Sequence, residues 1–548
     1  MRAPRIRNIL PSRTNIVLAT LSSGLLIASF PDLDLSFLAW FALVPLIWAV
    51  ERQKHCVAAC FIVGWIFGTI FFFGTCWWLT FAPITYAGFP WPVAYFLLFI
   101  VTAITGLFPA IFTGILAVLL RRFGSRAFLA APFVWVFTEF LRYWLTGNNW
   151  NAIGYSQAFA TNNWLGITAV QLAFIGGVWL SSGYVVVVNG VLGIIFSYLP
   201  RLSRPVQYRK PLMRLPALIP GAVFVVIVIP SIVGLLGLVR FGEPSSKSKP
   251  TVVGKVVAVQ PNVPMAGLDY RGLERLRQRQ IDLAETALSQ MPATDRELPT
   301  TVVLPESPMN FMYADDREFQ QFIGDFARRN NVSVLFNSAE PDKTNGKYFN
   351  SAVMVSPEGR EVAQYDKIYL LPFGEAVPQL FDGILPGFVG NFSYGGEYDI
   401  LPLGEAKAGV MICFESHFGQ LSRQYVLNGA DVLIEMTNDG YLGPTPVLRQ
   451  HLANAVFRAV ETHRPVLRIT NVGITAYINE AGAVVDPAPV YAEATRIWRV
   501  AGSDGSQTFY VRYGDWFAWL CTLVTVGLVI LSYWKSRGGD SSAEARTQ

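Results

Sequence analysis

Between residues 57 and 120 the chain carries no Asp, Glu, Lys, Arg or His. No soluble core absorbs a charge-free stretch of that length. About 20 apolar residues cross a bilayer as a helix, and in lipid the backbone must satisfy its own polar groups, which restricts the choice to helices or a closed barrel. Further apolar runs lie on either side. Together they predict eight helices, at about 14–30, 36–50, 57–79, 91–120, 127–145, 164–197, 216–238 and 514–534. The second is short. Gly106 and Pro109 fall inside the fourth, which is long enough to tilt or break. Charged residues make up only 15% of the chain, against about 25% in an ordinary soluble protein.

Loop charges predict the orientation. Arg2, Arg5 and Arg13 precede the first helix. Arg52 and Lys54 follow the second, and Arg121, Arg122 and Arg126 the fourth. Arg201, Arg204, Arg209, Lys210 and Arg214 follow the sixth, and Lys535 and Arg537 the eighth. The alternate short loops contain neither Lys nor Arg. This pattern puts both termini on the cytoplasmic side and the stretch 240–510 on the other. The basic lead "MRAPRIRNILPSR" is read as entering a retained helix, since no small-x-small cleavage site follows it. Glu139 and Arg142 lie near the outward side, placed for an ion pair or a headgroup contact.

Residues 250–505 have ordinary charge density, and the Pro/Ser-rich segment "GEPSSKSKP" (242–250) reads as a linker into them. Apolar runs at 255–263, 300–307, 332–340, 407–415 and 431–439 alternate with helical patterns at 270–291, 316–331 and 446–463. Two hairpins are added to these. The alternation predicts an α/β layered fold. The formal net charge of +5 is small for 548 residues and forms no basic stripe, so no nucleic-acid partner is expected. His417, His451 and His463 lack metal-site spacing, and no Gly-rich phosphate loop stands out, so neither metal nor cofactor is expected.

Of five cysteines, Cys56, Cys60, Cys76 and Cys521 lie in apolar segments. Cys413 stands alone in the soluble part, at the end of "GVMIC", so no disulfide can form within that domain. Two other reactive side chains occupy similar places. Glu306 closes "VVLPE" and Lys367 follows "VAQYD". Each has a plain structural reading, as a core thiol, a helix-capping acid and a solvated cation. Each also has a chemical one, because a thiol nucleophile needs a base for its proton and a cation for the oxyanion it creates. The residues alone leave both open.

The stretches "VLPES", "YDKIYLLPFGEAVP" and "GVMICFES" resemble, in order and spacing, the Glu, Lys and Cys motifs of the nitrilase superfamily. With membrane spans around them, the whole chain resembles the apolipoprotein N-acyltransferase family. "NNWNAIGYSQ" (148–157), "YFNSAVMV" (348–355), "TNDGYLG" (437–443) and residues 450–476 match further motifs of that family. The resemblance implies an eight-helix membrane domain (helices 1–7 in 1–241, helix 8 in 510–548) carrying a four-layer αββα sandwich (250–505). It makes Cys413 the nucleophile, Glu306 the general base and Lys367 the third catalytic residue. Glu375 and Glu415 become supporting acids, with Phe414 and Tyr441 beside them. It implies a phospholipid acyl donor, a diacylglyceryl-cysteine acceptor on lipoproteins, a thioester intermediate, and residence in the bacterial inner membrane with the catalytic domain in the periplasm; a monomer is expected, although the sequence itself does not give the oligomeric state. Phe414 stands where Tyr is common, Tyr441 where Trp is, and Leu268 near a position usually filled by Trp. The competing reading is a membrane-anchored amidase or nitrilase acting on a small C–N substrate, but eight spans exceed what an anchor requires.

Overall fold

A computed structural model describes residues 9–202, 228–241, 252–267, 269–292, 297–306, 311–372, 374–376 and 392–544. The linker 242–250, Leu268 and most of 373–392 lie outside them. The chain divides into two compact units, Met1–Leu238 with Asp515–Gln548, and Val239–Gly514.

The first unit is helical. Among the described residues, four stretches are long and apolar enough to cross a membrane: Val57–Thr75, Trp91–Thr146, Ala173–Phe196 and Trp516–Trp534. The expected runs are modified in three places. Residues 36–50 do not form one helix. A 3-10 turn, Ser36–Trp40, precedes the helix Val44–Gln53. The backbone groups freed at this break are met by buried Asn189, which donates to the Ala39 carbonyl (2.8 Å) and accepts from the Leu43 N–H (2.9 Å). The 91–120 run splits at Gly106 into Trp91–Thr105 and Leu107–Phe123, as Pro109 lacks the N–H that would continue the ladder. The sixth run forms Trp164–Gln171 and Ala173–Leu202, the latter kinked where Gly177 takes φ +64°. Trp516 Nε1 donates to the Ile175 carbonyl beside that kink (2.8 Å). Of the seventh run, only the part from residue 228 is described.

Helices in lipid gain little from apolar contact and instead pack through small residues. Gly64 and Gly68, one turn apart on Val57–Thr75, illustrate this. A Cβ at Gly64 would lie 2.5 Å from the Pro109 carbonyl oxygen, and one at Gly68 would lie 2.8 Å from Gly106 Cα. Glu139 and Arg142 both hold the 149–157 loop. Glu139 accepts from Ile153 N–H (2.8 Å) and Trp135 Nε1 (2.8 Å), and Arg142 donates to the Trp150 carbonyl (2.8 Å).

The second unit is an α/β sandwich. Its strands are β1 (Val252–Gln260), β2 (Thr300–Val303), β3 (Ser333–Asp342), β4 (Lys347–Val355), β5 (Glu361–Asp366), β6 (Phe392–Ser393), β7 (Ile400–Leu403), β8 (Ala406–Ile412), β9 (Val432–Thr437), β10 (Val466–Thr470), β11 (Ala476–Ile478), β12 (Val484–Val485) and β13 (Ala494–Ala501). One sheet runs β13-β1-β2-β3-β4-β5, with β6 added against β4, and the other runs β12-β11-β10-β9-β8-β7. β1, β2 and β3 are parallel neighbours, as are β8, β9 and β10.

Two amphipathic helices cover the first sheet. Asp269 caps Tyr270–Ser289 through Gly272 N–H (2.6 Å), and Asp316 caps Arg317–Asn330 through Phe319 N–H (2.9 Å). Their apolar sides, including Ile281, Ala284, Phe319, Ile323 and Phe326, close a core with Val257, Val259, Val302, Val334, Phe336 and Val353. Each such large side chain, once fully buried, contributes about 1.5–3 kcal/mol. Helices Gly419–Leu427 and Val447–Thr462 lie on the second sheet. Gly409 makes room for one of them, since a Cβ there would fall 2.4 Å from the Tyr425 ring, and Tyr425 donates to the Val410 carbonyl (2.6 Å). The sheets meet face to face where Thr470 of β10 donates to Gln260 of β1 (3.2 Å). Four layers result: helix, sheet, sheet, helix.

Candidate active site

Three strands deliver reactive side chains from their C-terminal ends. β2 is followed within three residues by Glu306, β5 immediately by Lys367, and β8 immediately by Cys413. Loops at strand ends are where α/β folds assemble sites, because the scaffold is rigid and the next residues are free of the ladder.

Cys413 begins a 3-10 turn, Cys413–His417, and is left-handed, with φ +52°. For a residue with a Cβ, such backbone costs about 1–3 kcal/mol and persists only when its surroundings impose it. Glu415 is one of those surroundings. Its Oε2 accepts from Ile412 N–H (2.8 Å), directly before the cysteine. Its Oε1 accepts from Tyr365 O–H (2.7 Å), Ile368 N–H (2.8 Å) and Tyr369 N–H (3.0 Å). A fully buried carboxylate thus ties the cysteine turn to the backbone just after Lys367. Burial pushes the Glu415 carboxyl up to about 7, against the pull of Lys367 and its hydrogen-bond donors.

The Cys413 sulfur is largely enclosed and lies beside the Glu306 carboxyl and Thr437. Glu306 accepts from Asn438 N–H (3.1 Å) and Asn350 Nδ2 (3.3 Å). Lys367, fully buried, places Nζ 3.8 Å from Glu306 Oε1 and 2.8 Å from Glu375 Oε1. Glu375 Oε2 accepts from Leu371 N–H (2.7 Å). Asn350 joins the two acids, donating also to Glu375 Oε1 (2.6 Å), and Asn337 donates to its amide oxygen (2.7 Å), fixing which way the amide points.

The electrostatics follow from this crowding. Burial and the Glu306 carboxylate push the Cys413 thiol well above its usual value, and Lys367 offsets only part of this. Burial likewise raises Glu306, with Lys367 pulling down and Glu375 pushing up. Burial alone would lower Lys367, but Glu375 and Glu306 outweigh it and keep the ammonium charged. The resting state therefore holds a neutral thiol beside a carboxylate, with a buried cation close to both. Such a set can pass a thiol proton to the acid as sulfur attacks a carbonyl carbon, and can stabilise the oxyanion that forms. Among the described residues, no group of three His, Cys, Asp or Glu is placed to hold a metal ion.

Of the residues singled out in the sequence, Cys413, Glu306, Lys367 and Glu375 converge. Glu415 stands behind the cysteine backbone. Phe414 is buried against Phe418 and His417 (ring centroids 5.3 and 4.9 Å). Tyr441 lies in the turn Asp439–Leu442 with 46% of its surface exposed. Asn350, Asn438 and Tyr365 belong to the site as well, beyond the candidates that the sequence names. A usable signal was Asn350 itself, an amide inside the apolar strand "FNSAVMV", where burial demands a partner.

Residues 22–191 match the family described as apolipoprotein N-acyltransferase N-terminal domain, and residues 282–506 match carbon-nitrogen hydrolase. A protein of Geobacter metallireducens named apolipoprotein N-acyltransferase is 30% identical over 532 residues, covering 95% of this chain and 96% of the relative. One of the same name from Thermotoga maritima is 29% identical, covering 94% of each. Among solved structures, Nit3 of Saccharomyces cerevisiae, described as a member of branch 10 of the nitrilase superfamily, overlaps 47% of this chain and 93% of its own, at 17% identity and a TM-score of 0.36.

Proposed function

Because the chain belongs to the apolipoprotein N-acyltransferase family, we propose that this membrane enzyme carries an acyl chain on Cys413 from a phospholipid to the N-terminal amine of a diacylglyceryl-cysteine lipoprotein. Glu306 takes the thiol proton as sulfur attacks the ester carbonyl carbon. Lys367, with the Phe414 N–H, stabilises the oxyanion, and one such donor is worth about 3–4 kcal/mol. The C–O bond breaks, Glu306 returns its proton to the leaving oxygen, and a lysophospholipid departs, leaving a thioester. In the second half the lipoprotein amine attacks that thioester. Glu306 accepts the amine proton and passes it to the departing sulfur, which restores the thiol. The amide product is more stable than the thioester, so the step runs forward.

The carrying observation is the convergence of the Cys413 sulfur, the Glu306 carboxyl beside it and Lys367 Nζ, 3.8 Å from that acid. A thiol held so far above its usual value does not ionise by itself, so the proton has to move to Glu306 during the attack. Glu375 keeps the ammonium charged and aimed. Tyr441 and Phe414 are proposed to line the approach to the sulfur. All these groups come from one chain, so the proposed working unit is a monomer. The one-sided loop charges support eight crossings of the bacterial inner membrane, with both termini cytoplasmic and residues 250–505 periplasmic.

The decisive experiment incubates the full-length protein in detergent with phospholipid alone. One acyl mass is expected on Cys413, removable by hydroxylamine. Cys413→Ala should form no adduct and should not acylate a diacylglyceryl peptide. Retained N-acylation in that variant would eliminate the thioester route. Release of ammonia from small amides without lipid would favour an amidase instead.

A further inference from the structure

Behind the cysteine turn lies a second charged cluster that the acyl-transfer scheme does not use. Arg468 of β10 bonds Glu435 of β9 through Nη1 and Asp439 through Nη2 (2.7 Å). His451, on the helix Val447–Thr462, completes the ring. Its Nδ1 lies 2.7 Å from Asp439 Oδ1 and its Nε2 lies 3.2 Å from Glu435 Oε1. All four side chains are almost wholly buried. Two carboxylates against one guanidinium would leave a net negative charge in the interior, and an imidazolium neutralises it.

The partners of His451 identify its protonation state. Nδ1 lies against the Asp439 carboxylate, which can only accept, so it carries a proton. Nε2 faces the Cys413 carbonyl oxygen at 3.1 Å, together with Glu435 Oε1 and the Ser416 Oγ at 3.0 Å. The carbonyl and the Glu435 carboxylate can only accept, so Nε2 carries a proton too, and Ser416 Oγ also lies 3.3 Å from that carbonyl. Acceptors on both nitrogens require protons on both. His417, whose ring centroid lies 5.7 Å away, is held neutral by burial and by His451 itself. Burial and Arg468 push the His451 proton off, while Asp439 and Glu435 hold it on and set the group at about 9.

The carbonyl gripped in this way belongs to the residue with φ +52°. Rotating that peptide out of the left-handed region would swing the carbonyl off His451 and the thiol off Glu306 together. We infer that His451, as an imidazolium, is a positioning residue that holds the Cys413 carbonyl and thereby keeps the thiol aimed at Glu306. The inference rests on Cys413 being the nucleophile.

The test measures the single-turnover rate of acyl-adduct formation on Cys413 with phosphatidylethanolamine in detergent, across pH, for wild type, His451→Gln and His451→Leu, with melting temperatures alongside. Gln keeps a donor near the Nε2 position but cannot titrate, and Leu has no donor. The expected result is a loss of about 10²-fold in rate for Leu, the scale of a misaimed nucleophile, and recovery to within about tenfold of wild type for Gln. Wild type should also lose rate as pH rises through about 9, where His451 gives up its proton. Lys367 and the thiol are both held higher and do not titrate first. The Gln profile should lack that descending limb. Equal rates for all three proteins, or a limb that persists in Gln, would overturn the inference. If Leu does not fold, the Gln and wild-type profiles still decide it. No adduct on wild type at any pH would remove the nucleophile reading, and this one with it. An adduct on wild type with unchanged variants would remove only this one.

Discussion

Glu415 is a carboxylate that accepts hydrogen bonds from four donors. It cannot serve as a base for the thiol from behind the chain. Its contribution is to join two backbones, the turn at Cys413 and the segment after Lys367, so that sulfur and ammonium keep a fixed separation. Gln is the informative replacement. An amide has one oxygen, so its NH2 would face either the Ile412 N–H or the cluster at Tyr365, Ile368 and Tyr369. A buried donor left without an acceptor costs about 1–3 kcal/mol. Glu415→Gln should therefore lower the melting temperature and slow Cys413 acylation by about 10²-fold, as read by adduct mass and calorimetry. Acylation at the wild-type rate would mean the turn keeps its shape without the carboxylate. The sequence could suggest that Glu415 matters, because an acid so close to an apolar strand is unusual. It could not say that the acid faces away from the thiol, because that depends on the φ of Cys413. Nor could it reveal that Lys367 is held between Glu306 and Glu375, which come from separate loops.

Elements were legible where the pattern was local. The helices Tyr270–Ser289 and Arg317–Asn330 have apolar periodicity and Asp caps, and both form close to the expected ends. β13 was not visible in the same way. "ATRIWRVA" interleaves charged residues with apolar ones, and its partner is β1, which precedes it by more than two hundred residues. Only a long-range pairing makes it a strand. In the helical unit, composition marked the apolar runs but not where they break, because the breaks rely on distant groups such as Asn189. Close helix contact is likewise invisible in composition, and it gives a test. Gly64→Ala places a methyl against the Pro109 carbonyl and the Thr113 hydroxyl, and overpacking of this kind costs about 1–3 kcal/mol. Gly24→Ala meets nothing within 4 Å and should be neutral or stabilising by about 0.5–1 kcal/mol, as usual for a glycine inside a helix. Thermal denaturation in detergent should separate the two variants in opposite directions. Equal melting temperatures would show that the 57–75 and 107–123 helices separate without penalty.

At the scale of the whole molecule, the loops carry a sidedness that no single helix does. Arg121, Arg122 and Arg126 crowd the connection 121–130, whereas the connection 80–90 has none of these charges. Retaining positive loops on the cytoplasmic side is the strongest rule of membrane orientation, and the proposed mechanism depends on it, because lipoprotein amines and the Cys413 unit have to meet in one compartment. The helices in between do not reveal the side, since an apolar span reads the same in either direction. Cysteines placed in the two loops do. Ala87→Cys, on an exposed turn, should react in intact cells with a membrane-impermeant maleimide, above the background of the native cysteines. Ser125→Cys should react only after the inner membrane is opened. The two residues lie at opposite ends of the helices Trp91–Thr105 and Leu107–Phe123, so one crossing separates them if those helices act as a single span. Labelling of both from outside would reverse or break that span. It would also place the basic loop in the compartment proposed for catalysis, and the assignment of residues 250–505 to the periplasm would then fail with it.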